Sequence, residues 1–408
     1  MKTLKILGIG LSLASLVAAN GVQAAEGKPI FDVRYRYEHV EQDNALAHAV
    51  MNSVRTRLGY ATGVHGGFSA LVEVDHVGHL GGDYNDTRNG HTGRSLIPDP
   101  SGAAVNQAWV RHSGDYGSLT VGRQRINLGN QRFVGGVGWR QNEQTYDGAM
   151  LQLNPGRDLA LSYAYIGRVN TIWGPDTGAF ATAANPARVD GDSHLFDLRW
   201  AITPSFSLGA YHYRLGLDDL AIAPTAARGT LSSATTGLRA QGRSGALDYV
   251  LEYATQKDAE GNPLALDSRY HLIEVGYAFE QVKLRAGQEV LGAGSGAGNR
   301  AFQTPLATKH AFQGWADMFL TTPADGVDDR YVGVTVPLGG GNLQGWYHDF
   351  TPERGGGDYG SEFDLSYARP IPGIKGLSGL VKYASYSSDD RARTVDTDKF
   401  WVQLQYAF

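Results

Sequence analysis

The chain has 408 residues, of which 54 are glycine, 21 are tyrosine and none is cysteine. The lack of cysteine excludes a fold held by disulfide bonds, and a formal net charge of −5 gives no reason to expect a nucleic acid partner. Mean hydropathy is −0.28, yet a transmembrane β-barrel hides its apolar residues by alternation. The low average therefore leaves insertion into a membrane open.

The N-terminus has the parts of a secretory signal peptide. Lys2 and Lys5 form a charged region, residues 6–19 form an apolar region, and a small-residue cleavage site follows. The apolar region is too short for a membrane-spanning helix, and no later run approaches the roughly 18–20 apolar residues that such a helix needs. The sequence predicts a signal peptide over residues 1–24 and, because no linker divides the remainder, a single domain over residues 25–408.

The end of the chain reads as a two-faced β-strand. Residues 398–408 alternate between an apolar and a mostly polar set, with the period of two that a strand requires. The apolar set is Phe400, Val402, Leu404, Tyr406 and Phe408. Such a strand fits a barrel whose apolar face meets lipid and whose polar face lines a lumen. The terminal phenylalanine after alternating aromatic residues resembles the assembly signal of bacterial outer-membrane proteins.

The same alternation recurs along the chain, and long and short connections take turns between the strands. The predicted strands are 30–40, 54–64, 68–75, 104–112, 118–126, 146–153, 159–167, 194–202, 206–214, 235–241, 246–255, 270–277, 282–290, 330–336, 343–350, 361–368, 377–386 and 398–408. The pattern predicts an all-β fold: a transmembrane antiparallel β-barrel of about 18 strands (16–18) in the bacterial outer membrane, with long extracellular loops and short periplasmic turns. The longest loop is expected at 292–328.

Charged residues recur on the predicted inward face, and their positive and negative charges nearly balance. The basic set is Arg34, Arg36, Arg55, Arg57, Arg199, Lys283, Arg285, Lys382 and Lys399. The acidic set is Asp32, Glu38, Glu73, Asp75, Asp197, Asp248, Glu252, Glu274, Glu289, Glu362 and Asp364. The first four arginines lie on neighbouring strands, where they can attract carboxylates and bind them bidentately. Alternatively, they pair with the first four acidic residues in a ladder that holds the wall rigid; both can hold at once.

Two regions carry motifs that resemble the alginate-export family of bacterial outer-membrane porins. The first has Asn-Gln-Ala-Trp-Val at 106–110, Val-Gly-Arg-Gln-Arg-Ile-Asn-Leu-Gly-Asn-Gln-Arg-Phe at 121–133, Trp-Arg at 139–140 and Tyr-Asp-Gly at 146–148. The second has Phe-Gln-Thr-Pro at 302–305 and His-Ala-Phe-Gln-Gly-Trp-Ala-Asp-Met-Phe at 310–319. The resemblance implies a monomeric barrel of eighteen strands with an arginine-rich constriction that passes anionic sugars. By the matching motifs it also implies four further candidate pore residues: Arg123, Arg125, Arg132 and Arg140.

The sequence leaves open whether two of these side chains point to the lipid or to the lumen. Strict alternation from Val121 puts Arg123 and Arg125 on the lipid side. A β-bulge at Gly122 would reverse the phase and turn both side chains inward. Without a bulge, the side chains would extend along the wall to the outer interface.

The function predicted from the sequence is passive diffusion of small hydrophilic, anionic solutes through a channel. The alternative is an export channel for an acidic, alginate-like polysaccharide, and a third possibility is a barrel whose lumen the long loop blocks. The partners expected are outer-membrane lipid and small anionic solutes or acidic sugars. No cofactor or metal is predicted. No enzyme is predicted either: the chain has no Gly-x-Ser-x-Gly motif, and His310 is interpreted as a polar anchor that packs its loop with Trp315 and Asp317.

Overall fold

The computed structural model of the chain describes residues 26–176, 178 and 180–408. The predicted signal peptide, residues 1–24, lies outside the described residues, so the division of the chain at residue 25 stays a prediction. Throughout the described ranges, no helix is both long enough and apolar enough to cross a membrane.

The described residues form one closed sheet of eighteen antiparallel strands. Its strands are β1 (Lys28–Gln42), β2 (Ala49–Ala61), β3 (Phe68–Asp83), β4 (Gly102–Gly114), β5 (Gly117–Gln124), β6 (Thr145–Leu153), β7 (Leu159–Asn170), β8 (Arg188–Thr203), β9 (Phe206–Leu215), β10 (Ser233–Ser244), β11 (Leu247–Asp258), β12 (Asp267–Phe279), β13 (Val282–Leu291), β14 (Val327–Leu338), β15 (Gly341–Thr351), β16 (Gly360–Pro370), β17 (Leu377–Ser388) and β18 (Thr397–Ala407). Each strand pairs with its neighbours in the chain, and β1 also pairs with β18. The predicted barrel and its alternation of long and short connections are confirmed.

Several strands extend further toward the long loops than the sequence indicates. β3 continues to Asp83 rather than ending near residue 75, and β8 begins at Arg188 rather than residue 194. The added segments carry glycine and charged residues, so they lack the apolar alternation that marks a strand facing lipid. Backbone hydrogen bonds with the neighbouring strands hold them in the sheet all the same.

The outer surface of the barrel is apolar because alternate side chains point outward. On β12, Ile273 is 50% and Tyr277 48% exposed, whereas the alternate residues Tyr270 and Leu272 are buried. β18 repeats the pattern, with Leu404 outward and Trp401 fully buried inside. This arrangement is that of a wall with hydrocarbon on one side.

The inward face is not polar throughout, which corrects the simple alternation of lipid side and water side. Along β6 to β13 it also carries apolar residues, including Tyr146, Met150, Ile166 and Tyr270. They pack against apolar residues of loops that fold into the barrel, among them Phe302. Burial of these side chains between wall and loops stabilises the fold as a soluble protein core does.

At Gly122 on β5, two strands of the wall approach each other closely. Its φ is +124°, and an added Cβ would lie 2.3 Å from the carbonyl oxygen of Ala108 on β4. Gly122→Ala is expected to cost on the order of 1–3 kcal/mol of unfolding free energy, because neither backbone can move aside without strain.

Urea unfolding in lipid vesicles, followed by tryptophan fluorescence, measures this cost. Gly156→Ala, in the turn between β6 and β7, is the matched control, since open space surrounds that position. Equal urea midpoints for the two variants would contradict the proposed strain.

Candidate functional site

Two loops fold into the lumen and meet there. They are numbered along the rim of long connections: L3 spans residues 125–144 and L7 spans residues 292–326. Val134 of L3 and Leu306 of L7 form a parallel β-bridge. The amide of Gly135 donates to the Leu306 carbonyl at 2.9 Å, and the amide of Thr308 donates to the Gln131 carbonyl at 3.0 Å. The loops therefore form one continuous backbone unit inside the barrel.

One side of this unit packs against the apolar part of the wall. The Phe133 ring of L3 lies 5.2 Å from the Tyr270 ring, 5.3 Å from Tyr211 and 5.9 Å from Phe302, centroid to centroid. The Tyr146 hydroxyl donates to the Gly135 carbonyl at 2.8 Å. Aromatic pairs of this kind add about 0.5–1.5 kcal/mol each to the free energy of area burial. They fix L3 against β6, β9 and β12.

The opposite side of the unit is held by the first two predicted arginines. Arg34 donates from Nη1 to the carbonyl oxygen of Gly138 at 3.0 Å. Arg36 donates from Nη2 to the carbonyl oxygen of Trp139 at 2.6 Å, and its guanidinium carbon lies 4.1 Å from the centre of that indole ring. Both side chains are buried. The two arginines of β1 thus bind the backbone of L3.

The next two predicted arginines pair with carboxylates of the wall. Arg55 Nη2 lies 2.5 Å from Asp32 Oδ1. Arg57 donates from Nε and Nη2 to the two carboxylate oxygens of Asp75, each at 2.7 Å. These pairs form two rungs of the charge ladder that the sequence suggested. Because bidentate charge-assisted pairs are short and directional, they hold neighbouring strands in register.

Glu143 connects the end of L3 to this ladder. Arg57 Nη1 lies 2.9 Å from Glu143 Oε1, and Arg125 Nε donates to Glu143 Oε2. Arg125 also donates from Nη2 to Glu73 Oε1 at 2.7 Å. Burial alone would raise the pKa of the Glu143 carboxyl, but Arg57 and Arg125 outweigh it and lower this pKa to about 2. The carboxylate is therefore charged at any physiological pH.

The remaining motif arginines of L3 reach across the lumen. Arg132 donates from Nε to Glu289 of β13 at 2.7 Å and from Nη1 to the Thr304 hydroxyl of L7 at 3.0 Å. Arg140 donates from Nη1 to Glu38 of β1 at 3.1 Å and from Nη2 to Asp317 of L7 at 3.2 Å. Each arginine joins L3, L7 and a strand, so the motif residues determine where the loops sit.

Arg123 is the candidate pore residue whose expected position needs correction. The β4–β5 and β5–β6 pairings run through Gly122 without a register shift, so no bulge reverses the phase. Arg123 lies on the outer face with Val121 and bonds Asp147 through Nε at 2.6 Å. Arg125 nevertheless points inward, because the chain leaves the sheet at Gln124 and turns into the lumen. The outward direction that strict alternation gives is therefore correct for Arg123 and wrong for Arg125.

A second group of basic residues lies on the periplasmic half of the opposite wall, and we name it the basic band. It comprises Arg199, Arg239, Arg243, Lys283 and Arg285. Arg199 and Arg239 flank Gly209 across three strands, and Arg285 lies 2.9 Å from Asp248 Oδ1. Three members were predicted to point inward from the sequence, but the two on β10 were not. A signal for them was present, because Leu238 points outward and Arg239, the next residue, must then point inward.

Four members of the basic band are exposed to solvent: Arg199, Arg243, Lys283 and Arg285. The first three have no ion-pair partner within the described ranges of the chain. In contrast, Arg36 and Arg55 are fully buried and Arg34 and Arg57 nearly so. Accessible positive charge inside the barrel therefore lies mainly on β8, β10 and β13. Across the same ranges, no group of three or more His, Cys, Asp or Glu residues could hold a metal ion.

The closed wall of eighteen strands with loops inside defines the chain as a transmembrane β-barrel of the outer-membrane type. Three solved structures match the fold of nearly the whole chain. OccAB4 of Acinetobacter baumannii has a TM-score of 0.74 at 17% identity, with 95% of this chain and 99% of that chain covered. OpdO of Pseudomonas aeruginosa has a TM-score of 0.70 at 16% identity, with 94% of this chain and 97% of that chain covered. OccK11 (OpdR) of the same species has a TM-score of 0.66 at 16% identity, with 94% of this chain and 96% of that chain covered.

The family of the chain follows from its sequence. Residues 31–313 match the alginate export family. This range covers more than half of the chain, and the chain belongs to that family. No curated protein matches the chain. The predicted resemblance, the barrel fold and the outer-membrane location are confirmed.

The low pKa of Glu143 predicts how L3 responds to mutation and to pH. Since this pKa lies below its ordinary value of 4.5, the carboxylate stabilises the folded position of L3 above about pH 4, and this contribution is lost as the pH falls toward 2. At pH 7, Glu143→Gln is expected to remove stabilisation on the order of 3 kcal/mol.

Hydrogen exchange of the L3 amides measures the loss. Faster exchange is expected for Glu143→Gln, and wild-type exchange for Glu280→Gln, whose exposed carboxylate lies in the β12–β13 turn. Unchanged protection of L3 in the first variant would show that Glu143 does not anchor the loop.

Proposed function

We propose that the protein is a passive outer-membrane channel for small hydrophilic solutes, with a preference for anions. A barrel of this strand number is wide enough to contain an aqueous channel. L3 and L7 occupy part of the lumen and narrow it, which sets an upper limit on solute size. The barrel itself needs no catalytic group for this role, and we propose that it has no enzymatic activity.

The observation that carries the anion preference is the accessible charge of the basic band. Arg199, Arg243 and Lys283 are exposed, while the nearby acids Asp248 and Glu274 are both bonded to Arg285. Fixed positive charge in a narrow space between low-dielectric walls raises the local concentration of anions. Guanidinium groups also match the geometry of a carboxylate.

The candidate pore residues on L3 and β1–β2 take a different part in this proposal. Five of them fix the position of L3 and act on the solute path through that position: Arg34, Arg36, Arg57, Arg132 and Arg140. Arg55 pairs with Asp32 within the wall. Arg125 keeps 29% of its side chain exposed and is the member of the set best placed to meet a solute. Arg123 lies outside the lumen and has no role in the path.

Export of an acidic polysaccharide is the second candidate, and the family assignment is the observation in its favour. A polymer would also be drawn by the basic band. However, L3 and L7 are joined across the lumen by backbone hydrogen bonds, by the bond of Arg132 to Thr304 and by the buried pair of Arg140 with Asp317. A long chain could pass only if these bonds opened, so passage of small solutes requires less rearrangement.

The apolar outer surface makes lipid the proposed partner of the wall. Exposed aliphatic and aromatic residues occur on strands all around the barrel, for example Val72, Leu238, Ile273 and Phe363. We propose that this apolar surface meets lipid around the wall and that the barrel is a monomer in the membrane.

Neutralising the basic band tests the proposed selectivity. The triple variant Arg199→Gln, Arg243→Gln, Lys283→Gln should move the reversal potential of single channels toward cation selectivity. We expect a shift on the order of 10 mV, against the ~59 mV of a perfectly selective pore in a tenfold salt gradient.

The matched control removes the same charge at the periplasmic rim through Arg157→Gln, Arg369→Gln and Lys375→Gln, and it should leave the potential unchanged. A shift of equal size in both variants would mean that the basic band does not select ions. Absence of any conductance in the wild-type chain would overturn the channel itself.

A further inference from the structure

A buried lysine lies at the point where L3, L7 and the wall meet. Lys382 points inward from β17, and its Nζ lies 3.6 Å from the ring centre of Trp315 on L7 and 4.5 Å from that of Trp139 on L3. Trp401 of β18 lies 5.6 Å away. The same nitrogen lies 2.7 Å from His310 Nε2. The Lys382 side chain of β17 therefore contacts both loops and β18.

The second nitrogen of His310 is also bonded. Nδ1 lies 2.8 Å from Asp317 Oδ1, and Asp317 Oδ2 accepts from Lys399 Nζ at 2.8 Å and from Arg140 Nη2 at 3.2 Å. When Lys382 is an ammonium group, which has only donors, Nε2 of His310 accepts its hydrogen bond. The ring is then neutral and donates from Nδ1 to the carboxylate. This pattern fits the tautomer that carries its proton on Nδ1.

We propose that His310 is an acid-sensitive latch, which holds L7 and L3 on the barrel wall while it is neutral and releases them when its Nε2 binds a proton. The proposal rests on the proposed channel function, because release would widen the solute path. A protonated Nε2 has no lone pair for Lys382. It would also place two positive charges at the distance of a hydrogen bond, inside a space from which water is excluded.

The surrounding charges do not compensate for that contact. The charged groups around the latch come from every element packed against it: Arg36 of β1, Glu362 and Asp364 of β16, Lys382 of β17, Lys399 of β18, Arg140 of L3 and Asp317 of L7. Glu38 of β1 and Asp99 of the loop before β4 bond to Arg140 behind them. Asp317 is the acid nearest to the ring, and it is already bonded to Arg140 and Lys399. Glu362 accepts the backbone amides of Trp315 and Ala316 instead of contacting His310.

The direction of the pH response follows from linkage. Burial lowers the pKa of His310 well below its ordinary range; Asp317 opposes this shift and Lys382 adds to it. A released loop would carry His310 into water, where its pKa is about 6.5. Below that pH the released state binds a proton that the latched state does not bind. The ratio of released to latched protein therefore rises by up to tenfold for each pH unit.

Release of L7 would also free L3. The Trp139 ring stacks on the His310 ring with centroids 4.5 Å apart and an angle of 9° between the planes. Arg140, the next residue, shares Asp317 with His310. Movement of His310 away from the wall would therefore remove the packing surface of Trp139 and one partner of Arg140.

A spin label beside His310 tests the latch without any need for ion flow. The native chain has no cysteine, and Ala311 is exposed, so Ala311→Cys accepts a single nitroxide label. In lipid vesicles, the label should become more mobile between pH 7.5 and pH 5. The addition of His310→Gln should abolish the change, because an amide can still donate to Asp317 and accept from Lys382 but does not titrate.

A second variant controls for histidine chemistry elsewhere in the barrel. His348 of β15 is also buried and bonded to a carboxylate, Asp329, at 2.9 Å, but it does not touch Lys382. His348→Gln should leave the pH response of the label intact. A label that is equally immobile at both pH values in the parent chain would overturn the latch, and so would an equal response with and without His310.

Single-channel recording separates the latch from the channel proposal. Larger or more frequent openings at pH 5 than at pH 7.5, absent from His310→Gln, are the expected result. A label that responds in a barrel without conductance at either pH would support the latch and overturn the channel. Steady conductance at both pH values, with an unresponsive label, would overturn only the latch.

Discussion

The buried charges on the inner wall are the constraint on which the rest of the structure depends. Arg34, Arg36, Arg55 and Arg57 project from β1 and β2 into a space closed off from lipid, where an unpaired charge would cost several kcal/mol. Arg55 and Arg57 pair with wall carboxylates, and Arg34 and Arg36 bond to backbone carbonyls of L3. L3 is thus part of the charge balance of the barrel, and its inward fold follows from the sequence of the first two strands.

The apolar half of the lumen completes the same arrangement. Polar anchoring alone would leave the inward tyrosines and aliphatic residues of β6 to β13 facing water. Phe133, Val134, Phe302 and Leu306 cover them, so the two loops bridge a charged wall and an apolar wall. What remains accessible is the periplasmic half of the lumen, where the basic band lies. The selectivity proposed for the channel therefore belongs to the wall that the loops leave uncovered.

The strands could be predicted from the sequence because lipid and lumen impose a period of two, which each strand displays locally. All eighteen were found in this way, and the contact of His310 with Asp317 was also anticipated. The inward course of L3 could not be predicted, since its partners are distant: Arg132 bonds Glu289, which is 157 residues away. The motif resemblance pointed to Arg132 and Arg140, but their burial depends on this tertiary arrangement.

The union of L3 and L7 inside the barrel can be tested most directly by a cross-link. Val134 and Leu306 face each other in a parallel bridge, at a spacing that a disulfide can join, and the chain has no other cysteine. The double variant Val134→Cys, Leu306→Cys should form an intramolecular disulfide in native membranes and hold the loops together. Two free thiols under oxidising conditions, in a barrel that is otherwise folded, would contradict the proposed junction.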